Sequence, residues 1–137
     1  MIAAGRFLLD TNICVYIREK KPLKVLARFE EVDPGSLAMS AITYGELVYG
    51  ALRSIRPERA MLDLSRLATL ISVLPLPVNA GETYGALRAT LVRKGEVIGP
   101  NDLWIAAHAL ASGLTLVTNN EREFKRVEGL KVENWAK

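Results

Sequence analysis

Residues 97–124 read VIGPNDLWIAAHALASGLTLVTNNEREF, and the signals along them run turn, helix, turn, strand, polar tip. Gly99 and Pro100 punctuate the chain, and Asn101 is expected to cap a helix that runs to about Ser112. Leu103, Ala106, Ala107, Leu110 and Ala111 recur at helical spacing, and Gly113 can supply the left-handed residue that ends the helix. Residues 114–118 then read as a short buried strand, followed directly by Asn119, Asn120 and Glu123. Asp102 is thereby fixed in the first turn of a helix, with Asn120 and Glu123 beyond the carboxyl end of a strand. Open α/β sheets build their sites at the carboxyl ends of strands, so chemistry is expected here.

Upstream the same grammar repeats. The run Phe7, Leu8, Leu9 ends at Asp10, Thr11 and Asn12, and residues 13–18 look helical, which makes a strand-to-helix junction. Lys20, Lys21 and Pro22 break that helix; residues 23–29 form a second one, and Asp33, Pro34 and Gly35 a turn. Leu37, Ala38 and Met39 read as a strand. Tyr44, Leu47, Val48, Ala51 and Leu52 mark the buried stripe of the next helix, with Glu46 off that stripe. Pro57 opens a further helix, whose face is Met61, Leu64, Leu67, Ala68 and Ile71. Val73 and Leu74, flanked by Pro75 and Pro77, suit an edge strand. Asn79 and Glu82 resemble a capping box for a helix ending at Gly95, and residues 132–135 can form a last strand. Strands alternating with helices imply an α/β fold with a mainly parallel sheet covered on both faces.

At 137 residues, half of them apolar, the chain has length for one well-cored domain and not for two. The uncharged run over residues 103–117 holds a histidine and a glycine and is too short for a membrane span. The apolar start MIAAGRFLL runs straight into Asp10, so no secretory signal is expected. The single cysteine, Cys14, has no internal disulfide partner, which fits a reducing cytoplasm, and one cysteine with one histidine excludes an ordinary zinc site. A net charge of +3 permits a polyanionic partner without demanding one.

Acidic and amide residues stand at element ends in four places: Asp10, Glu46, Asp102, and Asn120 with Glu123. Each has a structural reading. Asp10 can cap a helix, Thr43 and Glu46 fit a capping box, Asp102 complements a helix dipole, and Asn120 with Glu123 can cap a short helix. Their joint placement favours a site. If the two strands before Asp10 and Asn120 are neighbours, these side chains converge at one end of the sheet, with Glu46 reaching over. Clustered carboxylates repel unless a cation or raised pKa values relieve them. Mg²⁺ or Mn²⁺ is the natural occupant, and metal-assisted hydrolysis of a phosphate ester the natural chemistry. His108 reads as a core or surface histidine, Cys14 as a small buried hydrophobe, and Trp104 and Tyr49 as packing residues before base-stacking ones. Arginines 53, 56, 59, 66, 88 and 93 read as solvated helix faces, some available to an RNA path.

FLLDTN (7–12), SAITYGEL (40–47), GPNDLWIAAHA (99–109) and LVTNNEREF (116–124), in this order, resemble the PIN-domain ribonucleases, and among them the VapC-type toxins of bacterial toxin–antitoxin pairs. The resemblance covers nearly the whole chain, including RVEGLKVENW (126–135), and implies a single PIN domain over residues 1–137. It also implies a Mg²⁺-dependent endoribonuclease that inhibits translation, a cognate VapB-type antitoxin, and a homodimer within a higher toxin–antitoxin assembly. By matching motif, Asp10, Glu46 and Asp102 take the family's acidic positions, with Asp10 and Asp102 sharing the metal and Glu46 acting on it directly or through water. Thr11, Asn12 and Thr118 match its supporting polar positions. Many PIN domains carry an aspartate where this chain has Asn120, and the nearest acid here is Glu123; a single Mg²⁺ is the resulting expectation. The motif set implies a transfer RNA substrate, initiator tRNA first. An acidic cleft also invites an antitoxin arginine or lysine on a segment laid between helices.

Three rivals belong to other classes. An aspartyl-phosphate phosphatase places a second acid two residues after its nucleophile, where this chain has Asn12. A receiver-like signalling domain ends a central strand in its phosphoacceptor aspartate, whereas residues 37–39 are followed by Ser40. A PIN-like module that only binds partners is opposed by the presence of Asp10, Glu46 and Asp102.

Overall fold

The computed structural model describes residues 6–137, so the apolar start read at residues 1–5 lies outside the described residues. Its sheet has five parallel strands: β1 (Phe7–Leu9), β2 (Leu37–Ser40), β3 (Ser72–Leu74), β4 (Thr115–Val117) and β5 (Val132–Glu133), in the order β3-β2-β1-β4-β5. The helices are α1 (Thr11–Glu19), α2 (Leu23–Glu31), α3 (Ala41–Leu52), α4 (Pro57–Leu70), α5 (Asn79–Lys94), α6 (Pro100–Ser112) and the single turn α7 (Glu121–Phe124). The chain steps outward from β1 through β2 to β3, then returns to pair β4 with the other side of β1. That reversal puts a topological switch point between β1 and β4, where a crevice opens at their carboxyl ends.

Period-two alternation in the short strands builds two cores. Phe7, Leu9, Leu37, Met39 and Val117 face the cluster made with α1 to α4, which includes Ile13, Leu47, Leu64 and Leu67. Leu8, Ala38 and Leu116 face the other cluster, with Leu91, Leu103, Ile105, Ala106 and Phe124 of α5, α6 and α7. Both faces are covered, as the alternation of strands and helices requires.

The predicted elements are all present, and differences lie at their ends. Asn101 does not cap α6; Gly99 holds that position, Pro100 takes the first helical place, and Asn101 turns its side chain elsewhere. The capping box expected at Asn79 is also absent, because the helix cap falls on Val78 and the Asn79 amide donates to the Ala111 carbonyl. Leu52 belongs to no buried stripe and is 58% exposed, whereas Thr43 is buried. Gly113 ends α6 at φ 67°, as expected of a residue without a Cβ penalty. Cys14 is fully buried, and burial pushes its thiol well above the usual range. Trp104 packs by stacking on Tyr84 at 3.8 Å, but Tyr49 does not pack: it is exposed, with Arg53 over its ring.

Leu8 is fully buried in the central strand. Leu8→Ala is expected to cost about 2–5 kcal/mol, read as a lowered urea midpoint at constant slope.

Candidate active site

The buried polar residues of the described chain are Asp10, Ser40, Thr43, Thr118 and His108, and the first four sit at or just past the carboxyl ends of β1, β2 and β4. Asp10 leaves β1 as the cap of α1, its Oδ1 accepting from the Ile13 N–H at 2.9 Å. The Thr118 hydroxyl and the Asn12 backbone N–H also serve its carboxylate. Thr118 fixes the turn after β4 as well, accepting from the Asn120 N–H at 2.9 Å. The Asn12 side chain is exposed, so its contribution is a backbone donor. Capping and site-building are thus compatible for Asp10.

Glu46 has no capping role. Ser40 caps α3 through the Ile42 N–H, which places Glu46 too deep in the helix for a capping box. Thr11 donates its hydroxyl to Glu46 Oε1 and lies 3.3 Å from Thr43 Oγ1. Asn101 donates its amide to Glu46 Oε2 at 3.2 Å. Both oxygens of Glu46 therefore have donors, one from α1 and one from α6. Neither Asn101 nor Thr43 stands out as a site residue in the sequence; the signal for Asn101 is its place beside Asp102, which a capping role also explains. Below them His108 Nδ1 lies 2.9 Å from Ser40 Oγ, and burial holds the imidazole below its ordinary pKa, so this histidine is a neutral core residue.

Asp102 and Glu123 form the unrelieved part of the site. Glu123 Oε2 accepts from the Asn120 amide at 2.8 Å, while its Oε1 is buried with no hydrogen-bond partner. Asp102 lies beside it. Desolvation first, and then the Glu123 carboxylate, raise the Asp102 pKa to about 7, with Asp10 and Glu46 adding to the shift. Asp10 is raised to about 6, chiefly by burial and further by Glu46. Asp102 thus feels the charge of Glu123, Asp10 and Glu46, and Asp10 that of Glu46. Asn120 and Glu123 join this group from the turn after β4 and from α7, although Asn120, at the cap position, makes no side-chain cap to α7. Among the described residues no three of these carboxylates surround a single point tightly enough to hold an ion as the side chains stand. The donor chemistry nevertheless fits a hard divalent cation: every available ligand is an oxygen, the charge is uncompensated, and one buried carboxylate oxygen lacks a partner.

A parallel sheet whose switch point gathers uncompensated carboxylates is the equipment of a metal-dependent hydrolase of phosphate esters. The PIN domain family model matches residues 7–130. The tRNA(fMet)-specific endonuclease VapC of Shigella flexneri is 43% identical over 131 residues, spanning 96% of this chain and 98% of its own. Ribonuclease VapC2 of Haemophilus influenzae is 41% identical over the same shares of the two chains. Among solved structures, DNA-bound VapBC from Salmonella typhimurium superposes with a TM-score of 0.90 at 40% identity, covering 96% of this chain and 98% of that one. VapBC-1 from nontypeable Haemophilus influenzae gives 0.88 at 37%, with the same coverage. The chain belongs to the PIN-domain family, and within it to the VapC-type ribonuclease toxins. Nucleases of this family work with a divalent metal ion. No helix of the described residues is long and apolar enough to cross a membrane.

The raised carboxyls have a consequence for stability. Unfolded, Asp10 and Asp102 titrate near their usual 3.8; folded, they hold protons to about 6 and about 7. Between these values the folded chain binds more protons than the unfolded one, so their contribution is fullest below about pH 4 and is lost as pH rises towards 7. In EDTA, the melting-temperature advantage of wild type over Asp10→Asn and Asp102→Asn is expected to shrink as pH is raised from about 4.5 to about 7.5. An advantage that grows with pH would show that these acids are ion-paired in the folded chain instead.

Proposed function

We propose that this ribonuclease cleaves initiator tRNA by hydrolysis at a site served by Mg²⁺, and that Asp10, Asp102 and Glu123 hold the ion. The observation that carries this assignment is Glu123 Oε1, buried without a hydrogen-bond partner beside Asp102, whose carboxyl is raised to about 7 by burial and then by the Glu123 charge. Glu46, expected from the sequence among the metal-holding residues, is in this reading set to act on the attacking water, because Thr11 and Asn101 fix its two oxygens from α1 and α6. When bound, the cation neutralises charge on the phosphoryl oxygens and makes water easier to deprotonate.

The chain's own residues do the rest. Thr11 and Asn101 hold the Glu46 carboxylate in one orientation, from which it aligns the attacking water and takes its proton. The water oxygen bonds to phosphorus in line as the P–O3′ bond breaks, and the departing 3′-oxygen takes a proton. The products are a 3′-hydroxyl and a 5′-phosphate. Thr118 and the first turn of α1 keep Asp10 fixed, and Asn120 fixes Glu123.

Initiator tRNA is the substrate class because the Shigella flexneri relative bears that specificity in its name. The VapBC assemblies solved for relatives support a cognate VapB-type antitoxin; a homodimer inside a larger complex and a cytoplasmic setting belong to the same proposal. A groove of about 410 Å³ between α1, α3 and α4 begins at Thr11 and Glu46 and is lined by Val15, Leu47, Gly50 and Ala51. It suits an antitoxin segment that delivers a basic side chain to the acids.

Asp10→Asn is expected to abolish cleavage with an unchanged circular dichroism spectrum, and EDTA to do the same reversibly. Glu123→Gln should lose at least about tenfold in rate at low Mg²⁺ and recover in part as Mg²⁺ is raised, whereas Glu46→Gln should stay slow at every concentration. Fragments ending in a 2′,3′-cyclic phosphate would refute the hydrolytic route.

A further inference from the structure

The acidic site poses a problem for its own substrate. RNA is a polyanion, and four carboxylates exceed what one divalent ion neutralises, so phosphates on either side of the scissile one are repelled unless other charges receive them. The side of the site formed by α7 supplies such charges. A groove of about 620 Å³ is lined by Lys94, Glu96, Arg122, Lys125, Arg126 and Glu128. Four cations face two carboxylates there. Among the described residues Lys94, Arg122 and Lys125 take part in no ion pair. Arg126 is anchored at the groove wall, its Nη1 donating to the Val97 carbonyl at 2.9 Å and its backbone N–H to the Glu123 carbonyl at 3.2 Å. Glu123 follows Arg122 on α7, and Lys125 caps that helix. The groove and the carboxylate pair therefore share α7 as a common wall.

We propose that this groove carries the phosphodiester backbone of the RNA substrate as it leaves the scissile phosphate on the Glu123 side, an inference that rests on the ribonuclease reading above. Its lining favours a nucleic acid backbone over a protein segment. Every lining residue is charged and none is aliphatic or aromatic, so a protein partner would find no apolar anchor. Phosphate contacts need no anchor; they take flexible cationic side chains and supply affinity without reading sequence. The groove therefore sets how tightly RNA is held and not which bond is cut.

The test is steady-state cleavage of a full-length initiator tRNA transcript at fixed Mg²⁺ over about 50–300 mM KCl. For the triple variant Lys94→Gln, Arg122→Gln, Lys125→Gln, KM is expected to rise at least about tenfold at low salt while kcat falls less than about threefold. The slope of log KM against log salt should flatten by about 2, near 0.7 for each phosphate that is no longer neutralised. Glu96→Gln with Glu128→Gln should act in the opposite sense, lowering KM and leaving cleavage position unchanged, which keeps the idea testable if the triple variant does not fold. An unchanged slope in both variants would overturn the groove assignment while wild-type cleavage stood. So would a triple variant with normal KM that escapes inhibition by the co-expressed antitoxin, because the groove would then hold an acidic protein segment. A wild-type chain that cleaves no RNA would sink the ribonuclease reading itself.

Discussion

One backbone hydrogen bond, from the Asp10 N–H to the Val117 carbonyl at 3.0 Å, closes the parallel pairing of β1 with β4 at the place where both strands end. It seats Asp10 against Thr118 and brings the turn carrying Asn120 and Glu123 within reach of Asp102. The sheet is only three residues deep at both strands, so register there is fixed by little else than this pairing and the two apolar cores. Shifting the pairing by one residue would exchange the faces of Leu8, Leu9, Leu116 and Val117 and carry Asp10 away from Thr118. The fold and the site therefore depend on the same contact.

The site is held by amides and hydroxyls, and it is here that charge and orientation are separated. Thr11 and Asn101 orient Glu46, and Asn120 orients Glu123, without contributing a positive charge to either. No lysine or arginine forms an ion pair with these four acids among the described residues. An internal cation would relieve the repulsion permanently and compete with a metal ion or an inhibitor's basic side chain. Neutral donors leave the carboxylates aimed and still unsatisfied, a local instability of the kind functional sites commonly retain.

Much of this was legible in the residues. Strands with apolar runs, glycine stops at Gly95 and Gly113, and acids placed just after strands all follow from local chemistry. What was not legible came from residues with two uses. Asn101, Thr43 with Glu46, and Asn79 with Glu82 all matched helix-start patterns, yet the helices begin at Pro100, Ala41 and Asn79 under other caps. A polar residue near a helix start is released from capping when a proline or a buried serine fixes the end instead, and then its side chain answers to tertiary neighbours. Strand order was equally hidden: the juxtaposition of β1 and β4 is a long-range fact, set by how α5 and α6 pack on Leu8 and Leu116. Exposure on α3 misled for a related reason, since the two cores left Tyr49 and Leu52 beyond their reach.

The strand order also fixes when the acidic cluster comes into being. β1 lies in the middle of the sheet but is made first, and its β4 neighbour and Glu123 come more than a hundred residues later. A ribosome delivers the chain from its N-terminus, so Asp10 and Glu46 emerge long before Asp102, Thr118 and Glu123 exist. For most of its synthesis the nascent polypeptide cannot assemble the acids into one crevice. A chain broken off before β4 lacks Thr118, Asn120 and Glu123, together with the strand that seats Asp10. The topology thereby delays the assembly of the acids until β4 and the turn carrying Glu123 have been translated.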